Sequence, residues 1–238
     1  MHTTDGIVYY SAVTEPGSER KLAMRMLKQG FAEFFDMEFS EELIKRNGYG
    51  KPYYHGVGEQ IQFNLSHCRN ALAVAVSHRR VGVDVEGMRS VNYRTAIKCC
   101  SREEYSYVLG WDAELAPIAL QMYDAKKESG LYLPKNHMSE EAVKRFLQLW
   151  TLKESYVKMT GEGLRKKINE VNFALTDTQG IWKREVQAVM GSQKDSRHFL
   201  YSPGEFVLAL TAEYPEGMGQ AEFIWKEYNG AKLEERVV

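Results

Sequence analysis

The sequence predicts an α+β fold, because helix-like and strand-like segments occur in both halves of the chain. The strand-like segments are short apolar runs between turn residues, and the helix-like segments repeat apolar residues along one helix face. The chain has 238 residues, of which 44% are hydrophobic and 26% charged, which is ordinary for a globular protein with a real core. The halves share no strict repeat, yet a pseudo-duplicated arrangement fits this order of elements.

The first part of the chain is predicted to form strands at residues 7–13, 61–65, 71–77 and 82–86 and helices at residues 16–35 and 40–46. Ser40 is expected to cap the second helix, because a serine hydroxyl accepts a hydrogen bond from a free backbone N–H of the first turn. Residues 48–52 contain two glycines and a proline and are expected to form a loop. The strands at 71–77 and 82–86 are expected to pair as an antiparallel ribbon that turns at residues 78–80.

The rest of the chain is predicted to form helices at residues 96–109, 113–127 and 140–160 and strands at residues 171–175, 181–189, 205–211 and 223–226. Ser101 is a second N-cap candidate inside the first of these helices. Ser139 is expected to begin the long helix and Gly161 to end it. Residues 126–138 are polar, contain a glycine and a proline, and are the best candidate for an inserted loop.

Charge and cysteine usage limit the classes of function. The net charge is −1, from 31 basic and 32 acidic residues, which argues against a general grip on nucleic acid or anionic membrane but leaves room for a local basic pocket. Cys68, Cys99 and Cys100 form neither a disulfide framework nor a metal-binding spacing, so a reducing, cytoplasmic location is expected. We expect no signal peptide and no membrane span, because no apolar stretch is long enough.

Two segments about seventy residues apart carry carboxylates in unusual places. Asp84 and Glu86 lie on one face of a predicted strand, because side chains alternate along a strand. Glu154 falls in the middle of the apolar stripe of the long helix, where an acid is costly unless a positive group meets it. Three carboxylates that can converge indicate a hard divalent cation, most simply Mg²⁺. The alternatives are solvated acids at a strand end and a Glu154 paired with an arginine or lysine.

Four motifs occur in order along the chain. They are Gly50-Lys51-Pro52, Phe63-Asn64-Leu65-Ser66-His67, Gly82-Val83-Asp84-Val85-Glu86 and Trp150-Thr151-Leu152-Lys153-Glu154-Ser155 with Lys158. In this order they resemble the 4'-phosphopantetheinyl transferase superfamily, in its long Sfp-type branch. The stretch at residues 101–105 and the late Pro203-Gly204-Glu205 also fit. The resemblance covers about residues 50–215, and one such motif alone would be weak.

The resemblance implies a pseudo-dimer of two similar α+β lobes with the active site in the cleft between them. Residues 1–80 would form the N-terminal lobe with coenzyme A contacts. Residues 81–238 would form the C-terminal lobe, with the metal site, the catalytic helix and the loop insertion at 126–138. The implied reaction is a holo-[acyl-carrier-protein] synthase type of transfer. It moves 4'-phosphopantetheine from coenzyme A to a serine of an apo acyl or peptidyl carrier protein, giving holo carrier and adenosine 3',5'-bisphosphate.

The resemblance also implies roles for individual residues. Asp84, Glu86 and Glu154 match metal-binding acids for Mg²⁺, with Mn²⁺ as a substitute. Glu154 also matches the base that takes the proton of the carrier serine, directly or through water. Lys158, one helical turn later, would contact the pyrophosphate and assist the leaving group. The plain alternative for Lys158 is a surface pair with Glu154 at i,i+4 spacing.

Coenzyme A contacts are implied for Lys51, Ser66, His67 and Lys153. Lys51 and His67 match residues that meet the 3'-phosphate, and Lys153 is expected to contact phosphate or another acid. The alternatives are an ordinary turn around Lys51 and a hydrogen-bonded structural role for His67. Trp150 lies on the apolar stripe, where a core position is favoured over a ligand contact.

Two departures from the family pattern concern ligands and partners. Many long-branch members carry an Arg-rich segment before the first long helix, whereas this chain has only Arg20, Lys21, Arg25 and Lys28 within that helix. Residues 126–138 look longer than the usual connection, so they either tune the choice of carrier or are a neutral insertion. We expect a monomer that binds coenzyme A and a carrier but no nucleic acid and no membrane.

Two other functions compete with this interpretation. One is a different Mg²⁺ phosphotransferase or hydrolase that uses the same acids, which the absence of a Walker-type Gly-Lys-Ser/Thr loop disfavours. The other is a family member that binds coenzyme A or carrier without turnover.

Overall fold

The computed structural model describes residues 4–12, 17–56, 60–110, 120–121, 123–125, 138–163, 167–175, 183–186, 195–202, 205–215, 222–228 and 233–234. Its helices are α1 (Glu19–Phe35), α2 (Tyr93–Cys99), α3 (Arg102–Leu109) and α4 (Glu140–Thr160). Its strands are β1 (Gly6–Ala12), β2 (Ile44–Arg46), β3 (Pro52–His55), β4 (Gln60–Cys68), β5 (Ala71–Ser77), β6 (Val81–Gly87), β7 (Lys183–Val186), β8 (Ser196–Tyr201), β9 (Phe206–Glu213), β10 (Phe223–Tyr228) and β11 (Leu233–Glu234). The mixture of helices and strands confirms the α+β prediction.

The strands form two sheets. The first has seven strands in the order β11-β10-β1-β5-β4-β3-β2, and the second has four in the order β6-β9-β8-β7. Strand β1 runs parallel to β10, and the other pairs are antiparallel. The chain passes from the first sheet to the second at residues 78–80, but β10 and β11 return to the first sheet. The division into lobes at residue 80 stays a prediction.

The two sheets and two helices stack as four layers, in the order α1, first sheet, second sheet, α4. Successive residues of a strand face opposite sides, so each sheet can pack against a different layer on each face. Tyr9 on β1 packs with Phe31 of α1 on the outer face of the first sheet. Val8, its neighbour, packs with Val83 of β6 in the core between the sheets. Helix α4 covers the outer face of the second sheet with an apolar stripe that includes Leu152. The apolar side chains between the two sheets therefore hold the sheets face to face.

Several predicted elements are confirmed. Strands β1, β5 and β6 and helices α1 and α4 lie within a few residues of the predicted bounds. The Ser139 side chain accepts a hydrogen bond from the backbone N–H of Ala142, and Gly161 ends α4 in the left-handed conformation at φ 75°. Ser101 forms a full capping box with Glu104. This box begins a new helix, so the predicted helix at 96–109 is two helices, α2 and α3.

Other predictions are wrong. Residues 40–46 form a short 3-10 turn followed by β2, and the Ser40 side chain makes no cap hydrogen bond. Strand β5 pairs with β1 and β4, while β6 pairs with β9, so the ribbon expected around residues 78–80 does not form. Residues 171–175 form only an isolated bridge at Phe173. Strand pairing between distant segments is a tertiary property that local patterns do not determine.

Three predictions fall mainly on residues outside those described. They concern the helix at 113–127, the inserted loop at 126–138 and the Pro203-Gly204 pair. No helix in the described ranges is both long enough and apolar enough to cross a membrane.

Candidate functional site

Strand β6 and helix α4 approach each other closely at Gly82. A Cβ at this position would overlap the carbonyl oxygen of Ser155 and the backbone nitrogen of Met159. Because glycine has no side chain, the strand can lie directly against the helix backbone. This close packing places Asp84 beside the helical turn that carries Glu154 and Lys158.

Asp84 is buried in the middle of β6, with 5% of its surface exposed. Its Oδ1 accepts hydrogen bonds from Ser66 Oγ at 2.8 Å and from Lys158 Nζ at 2.6 Å. Its Oδ2 is buried and has no hydrogen-bond partner in the described part of the chain. Burial raises the pKa of Asp84, although Lys158 and Ser66 act in the opposite direction. An unpartnered buried carboxylate oxygen is costly, so this atom is available to accept a hydrogen bond or to bind a cation.

Glu86 lies two residues further along β6, as the alternation of a strand requires. Its Oε1 accepts a hydrogen bond of 2.9 Å from the indole Nε1 of Trp150, and its Oε2 lies 3.2 Å from Nε of Arg89. The Trp150 ring also stacks on Phe146, with ring centroids 6.1 Å apart. Trp150 is half-buried: it packs against the apolar core, as predicted, but it also lines the cleft beside the acids and holds the Glu86 carboxylate.

Glu154 is half-buried on α4 and faces the same region. Its pKa is raised, first by burial and then by the negative charges of Asp84 and Glu86, while Lys158 opposes the rise. The three predicted acids are thus near enough to repel one another. Among the residues described, however, no three His, Cys, Asp or Glu side chains group as a finished metal site. Protein donors from Lys158, Ser66, Trp150 and Arg89 hold two of the acids instead.

Lys158 and Ser66 reach Asp84 from different directions. The Lys158 ammonium donates to Ser66 Oγ at 2.8 Å as well as to Asp84, so it is more than a surface partner of Glu154. Ser66 is buried on β4, in the first sheet, while Asp84 belongs to the second. The carboxylate therefore joins the two sheets.

His67 and Ser66 point to opposite faces of the first sheet, because they are neighbours inside β4. The strand predicted at residues 61–65 would have left both residues beyond its end. Because β4 extends to Cys68, both lie inside the strand and their side chains face opposite sides. His67 is exposed and lies near Glu19 in the first turn of α1. The structure therefore does not bring His67 to the acids.

Lys51 lies immediately before β3, and its side chain reaches across to the second sheet. Its ammonium donates to the carbonyl oxygens of Val81 at 2.6 Å and Met159 at 2.9 Å. Burial, aided by the charge of Arg80, lowers the pKa of Lys51 to about 7. Lys51 thus ties its loop to the first residue of β6 and to the end of α4.

Lys153 is fully buried and does not face the acids. Its ammonium lies 2.6 Å from Glu104 Oε2 and also donates to the carbonyl oxygen of Cys99 at 2.9 Å. Of the two contacts predicted for Lys153, phosphate or another acid, the structure contains the acid. This side chain is enclosed by protein, so the predicted coenzyme A contact does not fit its position.

A cleft of about 700 Å³ opens beside the acids. Its described lining carries Glu154 and four lysines, which are Lys51, Lys98, Lys158 and Lys167. The position of Lys98 in the cleft could not be predicted from the sequence, because nothing in its local pattern marks it. Such a lining suits a ligand with several negative charges.

Asn64 belongs to the second of the four motifs, but no site role was predicted for it. It lines the cleft, and its Oδ1 accepts a hydrogen bond of 2.8 Å from the backbone N–H of Val83. Asn64 and Ser66 are polar residues on one face of β4, two positions apart. This period of two was a usable signal for a polar site.

Comparisons with known proteins agree with these features. Residues 80–211 match the family model described as 4'-phosphopantetheinyl transferase superfamily. The chain is 27% identical over 139 residues to 4'-phosphopantetheinyl transferase gsp of Aneurinibacillus migulanus, covering 58% of this chain and 46% of that protein. It is 24% identical over 145 residues to 4'-phosphopantetheinyl transferase psf-1 of Bacillus pumilus, covering 61% and 51%. For 4'-phosphopantetheinyl transferase Sfp of Bacillus subtilis (strain 168) the values are 23% over 141 residues, 59% and 51%. The matches span about half the length of these relatives.

Proposed function

The chain belongs to the 4'-phosphopantetheinyl transferase superfamily, and we propose that it transfers the 4'-phosphopantetheine group of coenzyme A to a serine of an apo acyl or peptidyl carrier protein. The products are the holo carrier and adenosine 3',5'-bisphosphate. The long Sfp-type branch is consistent with the named relatives.

One observation supports this proposal most strongly. The buried Oδ2 of Asp84 has no partner in the described part of the chain and lies in a group of mutually repelling acids. One of these acids, Glu154, lines a cleft whose described lining also contains four lysines. The acids can bind a cation, and the lysines of the cleft can contact phosphate oxygens. Both features suit a reaction on a pyrophosphate, in which catalysis depends mainly on neutralising charge and positioning the reacting groups.

Carboxylate oxygens are the ligands that Mg²⁺ prefers, with Mn²⁺ as a substitute, but the three acids, as the structure describes them, would have to rearrange to group around one ion. Asp84, Glu86 and Glu154 would hold the ion, since hard divalent cations take carboxylate oxygens and the Asp84 Oδ2 is free to bind. When bound, the ion would supply positive charge at the pyrophosphate.

Glu154 would act as the base. The carrier serine hydroxyl gives its proton to Glu154, directly or through water, as its oxygen forms a new bond to phosphorus. The bond from that phosphorus to the bridging oxygen breaks, and the electron pair leaves with adenosine 3',5'-bisphosphate. In the metal-free protein, burial and the neighbouring acids raise the pKa of Glu154. A bound cation would lower this pKa, so the position of the carboxylate beside the serine hydroxyl would contribute most of its effect as a base.

Lys158 would stabilise the leaving group. Its ammonium lines the cleft and in the free protein is held by Asp84 and Ser66. A lysine can turn from such partners toward a phosphate oxygen, because its four-carbon stem is flexible. Positive charge there offsets the negative charge that develops as the bond to phosphorus breaks.

Coenzyme A would lie in the cleft, with Lys51 near one of its phosphates. A phosphate beside Lys51 would favour the ammonium form of this lysine, whose pKa is about 7 in the free protein. Ser66 would act mainly by holding Asp84 and Lys158. His67 and the exposed Arg20, Lys21, Arg25 and Lys28 of α1 remain candidates for the 3'-phosphate.

The pseudo-dimer of two lobes, with the active site between them, is part of the same proposal. Its support is the four-layer stack and the Ser66–Asp84 contact between the sheets. A cytoplasmic monomer that docks its carrier beside the cleft completes the proposal.

The test is intact mass spectrometry of an apo carrier incubated with the protein, coenzyme A and Mg²⁺, over a panel of acyl and peptidyl carriers. A mass gain of one phosphopantetheinyl group, lost when the carrier serine is replaced by alanine, is the expected result. Hydrolysis of coenzyme A without modification of any carrier would replace the proposal by a hydrolase. Tight binding of coenzyme A without turnover would indicate a binding protein.

A further inference from the structure

A buried row of polar side chains lies where α4 packs on β8 and β9. Ser196 Oγ is 3.0 Å from His198 Nε2, and His198 Nδ1 is 3.0 Å from Thr211 Oγ1. Thr211 Oγ1 is 2.8 Å from Ser155 Oγ, which donates to the carbonyl oxygen of Leu152 at 2.8 Å. All four side chains are at most 9% exposed. We call these four residues the buried polar network.

The hydrogen atoms of the buried polar network can be assigned by counting. The carbonyl oxygen of Leu152 can only accept a hydrogen bond, so the single hydroxyl hydrogen of Ser155 is donated to it. Thr211 must then donate to Ser155, which leaves the Thr211 oxygen to accept from His198 Nδ1. A neutral imidazole carries one N–H, so Nε2 is the acceptor, and Ser196 Oγ lies within hydrogen-bond distance of it. Every bond in the row therefore points toward α4.

The surroundings of His198 keep it in this neutral form. Its ring packs edge-on against Phe173, with centroids 4.8 Å apart, and lies 6.0 Å from the ring of Tyr156. Burial, together with the charge of Arg197, lowers the pKa of His198 to about 3. A neutral imidazole with a fixed tautomer donates from one ring nitrogen and accepts at the other, so His198 contributes hydrogen bonds of fixed direction and no charge.

The buried polar network ends next to the proposed base. Ser155 directly follows Glu154, and its carbonyl oxygen lies against Gly82 of β6. Apolar packing alone tolerates small shifts of a helix along its axis, whereas a fully satisfied hydrogen-bond network specifies one arrangement. A displacement of about 1 Å at a catalytic group can cost about a hundredfold in rate.

We propose that His198, as the Nδ1–H tautomer, is a positioning residue that acts through Thr211 and Ser155 to fix where α4 presents Glu154. The proposal rests on the proposed transferase function for its catalytic consequence. His198 touches neither Glu154 nor the cleft among the contacts that the described residues make.

Two variants of one residue test the proposal. Thr211→Val keeps the side-chain shape and removes the hydroxyl, whereas Thr211→Ser keeps the hydroxyl. We expect Thr211→Val to lower kcat of carrier modification about tenfold or more, by misplacement of the base, with KM for coenzyme A changed less than about twofold. Thr211→Ser should restore kcat to near the wild-type value. Equal kcat in both variants, or a loss confined to KM, would overturn the proposal.

A second measurement needs no variant and no substrate. Nitrogen-15 NMR of the wild-type imidazoles should show a neutral His198 with the proton on Nδ1 across the neutral pH range. A proton on Nε2 would reverse the bonds and overturn the proposal, even if Thr211→Val fails to fold. If the wild-type protein modifies no carrier, the proposed function fails, while the NMR result still decides the arrangement of the network.

Discussion

Replacing Lys153 by methionine is expected to destabilise the fold by about 3 kcal/mol and to leave coenzyme A affinity unchanged. Lys153 is fully buried, and its Nζ lies 2.6 Å from Glu104 Oε2. Removing one partner of a buried ion pair costs about 3–5 kcal/mol, because the other charge stays buried without it. A lysine that contacted coenzyme A would give the opposite pattern, with weaker ligand binding and normal stability.

The hydrogen bonds that Glu104 keeps without Lys153 place the loss of unfolding free energy in Lys153→Met at the lower end of the range of about 3–5 kcal/mol. Without Lys153, the carboxylate still accepts the backbone N–H of Ser101 at 2.8 Å and of Phe173 at 2.9 Å. The opposite change, Glu104→Gln, removes the only carboxylate that Lys153 contacts within the described residues. It also turns an amide NH₂ toward a backbone donor. We therefore expect about 5 kcal/mol for Glu104→Gln, at the upper end.

Denaturant unfolding followed by circular dichroism measures these costs. For a protein of this size, about 3 kcal/mol corresponds to a fall in Tm of roughly 6–12 °C. The double variant should lose less than the sum of the single losses, since neither charge is left alone. Lys144→Met, at an exposed position on the same helix, is the matched control and should stay within about 0.5 kcal/mol of the wild type. Normal stability with a raised KM for coenzyme A in Lys153→Met would refute the reasoning.

Four other changes test the proposed site. Glu154→Gln should lower kcat by about 10²–10⁴-fold with the fold intact, because the base is lost; circular dichroism and carrier mass spectrometry check this, and a wild-type rate would contradict it. Asp84→Asn should raise the Mg²⁺ concentration for half-maximal rate about tenfold or more, whereas an unchanged Mg²⁺ requirement would argue against a ligand role. Lys51 has a pKa of about 7 in the folded protein and an ordinary value of 10.5, so between these values the unfolded chain binds more protons and stability rises with pH. The difference in unfolding free energy between wild type and Lys51→Met should therefore grow as pH rises from 7 to 10, and a constant difference would contradict the lowered pKa. Gly82→Ala should destabilise the fold by at least about 2 kcal/mol and reduce transfer, because its Cβ overlaps backbone atoms of α4; an Ala variant of normal Tm would show that β6 can move away.

The parts of the fold that local sequence signals determine were predictable. Ser139 and Gly161 marked the ends of α4, and Ser101 marked the beginning of α3. The alternation of Asp84 and Glu86 along β6 likewise placed both acids on one face. Each of these signals involves residues within a few positions of one another, so no knowledge of the tertiary structure was needed.

The positions of the site lysines were not predictable in the same way. Lys153 and Lys158 lie on one helix, but the packing of α4 against α3 brings Lys153 to Glu104, and its packing against β6 brings Lys158 to Asp84. The contact of Lys51 with the carbonyl of Met159 joins residues more than a hundred positions apart. Such contacts depend on how β6 pairs, and the sequence patterns placed its partner wrongly.

The arrangement of the candidate site depends on the contact between the two sheets. Three hydrogen bonds link β4 to β6 beside the cleft and so cross from one sheet to the other: Ser66 donates to Asp84 and accepts from the backbone N–H of Val85, and Asn64 accepts from the backbone N–H of Val83. The side chain of Val83 itself lies in the apolar core between the sheets. Strand β6 therefore makes both the polar contacts at the site and the apolar contacts in the core. A shift of β6 that changed the polar contacts would also disturb the apolar packing. Because Gly82 fixes the same strand against α4, the positions of Asp84 and Glu154 relative to each other follow from packing on both faces of β6.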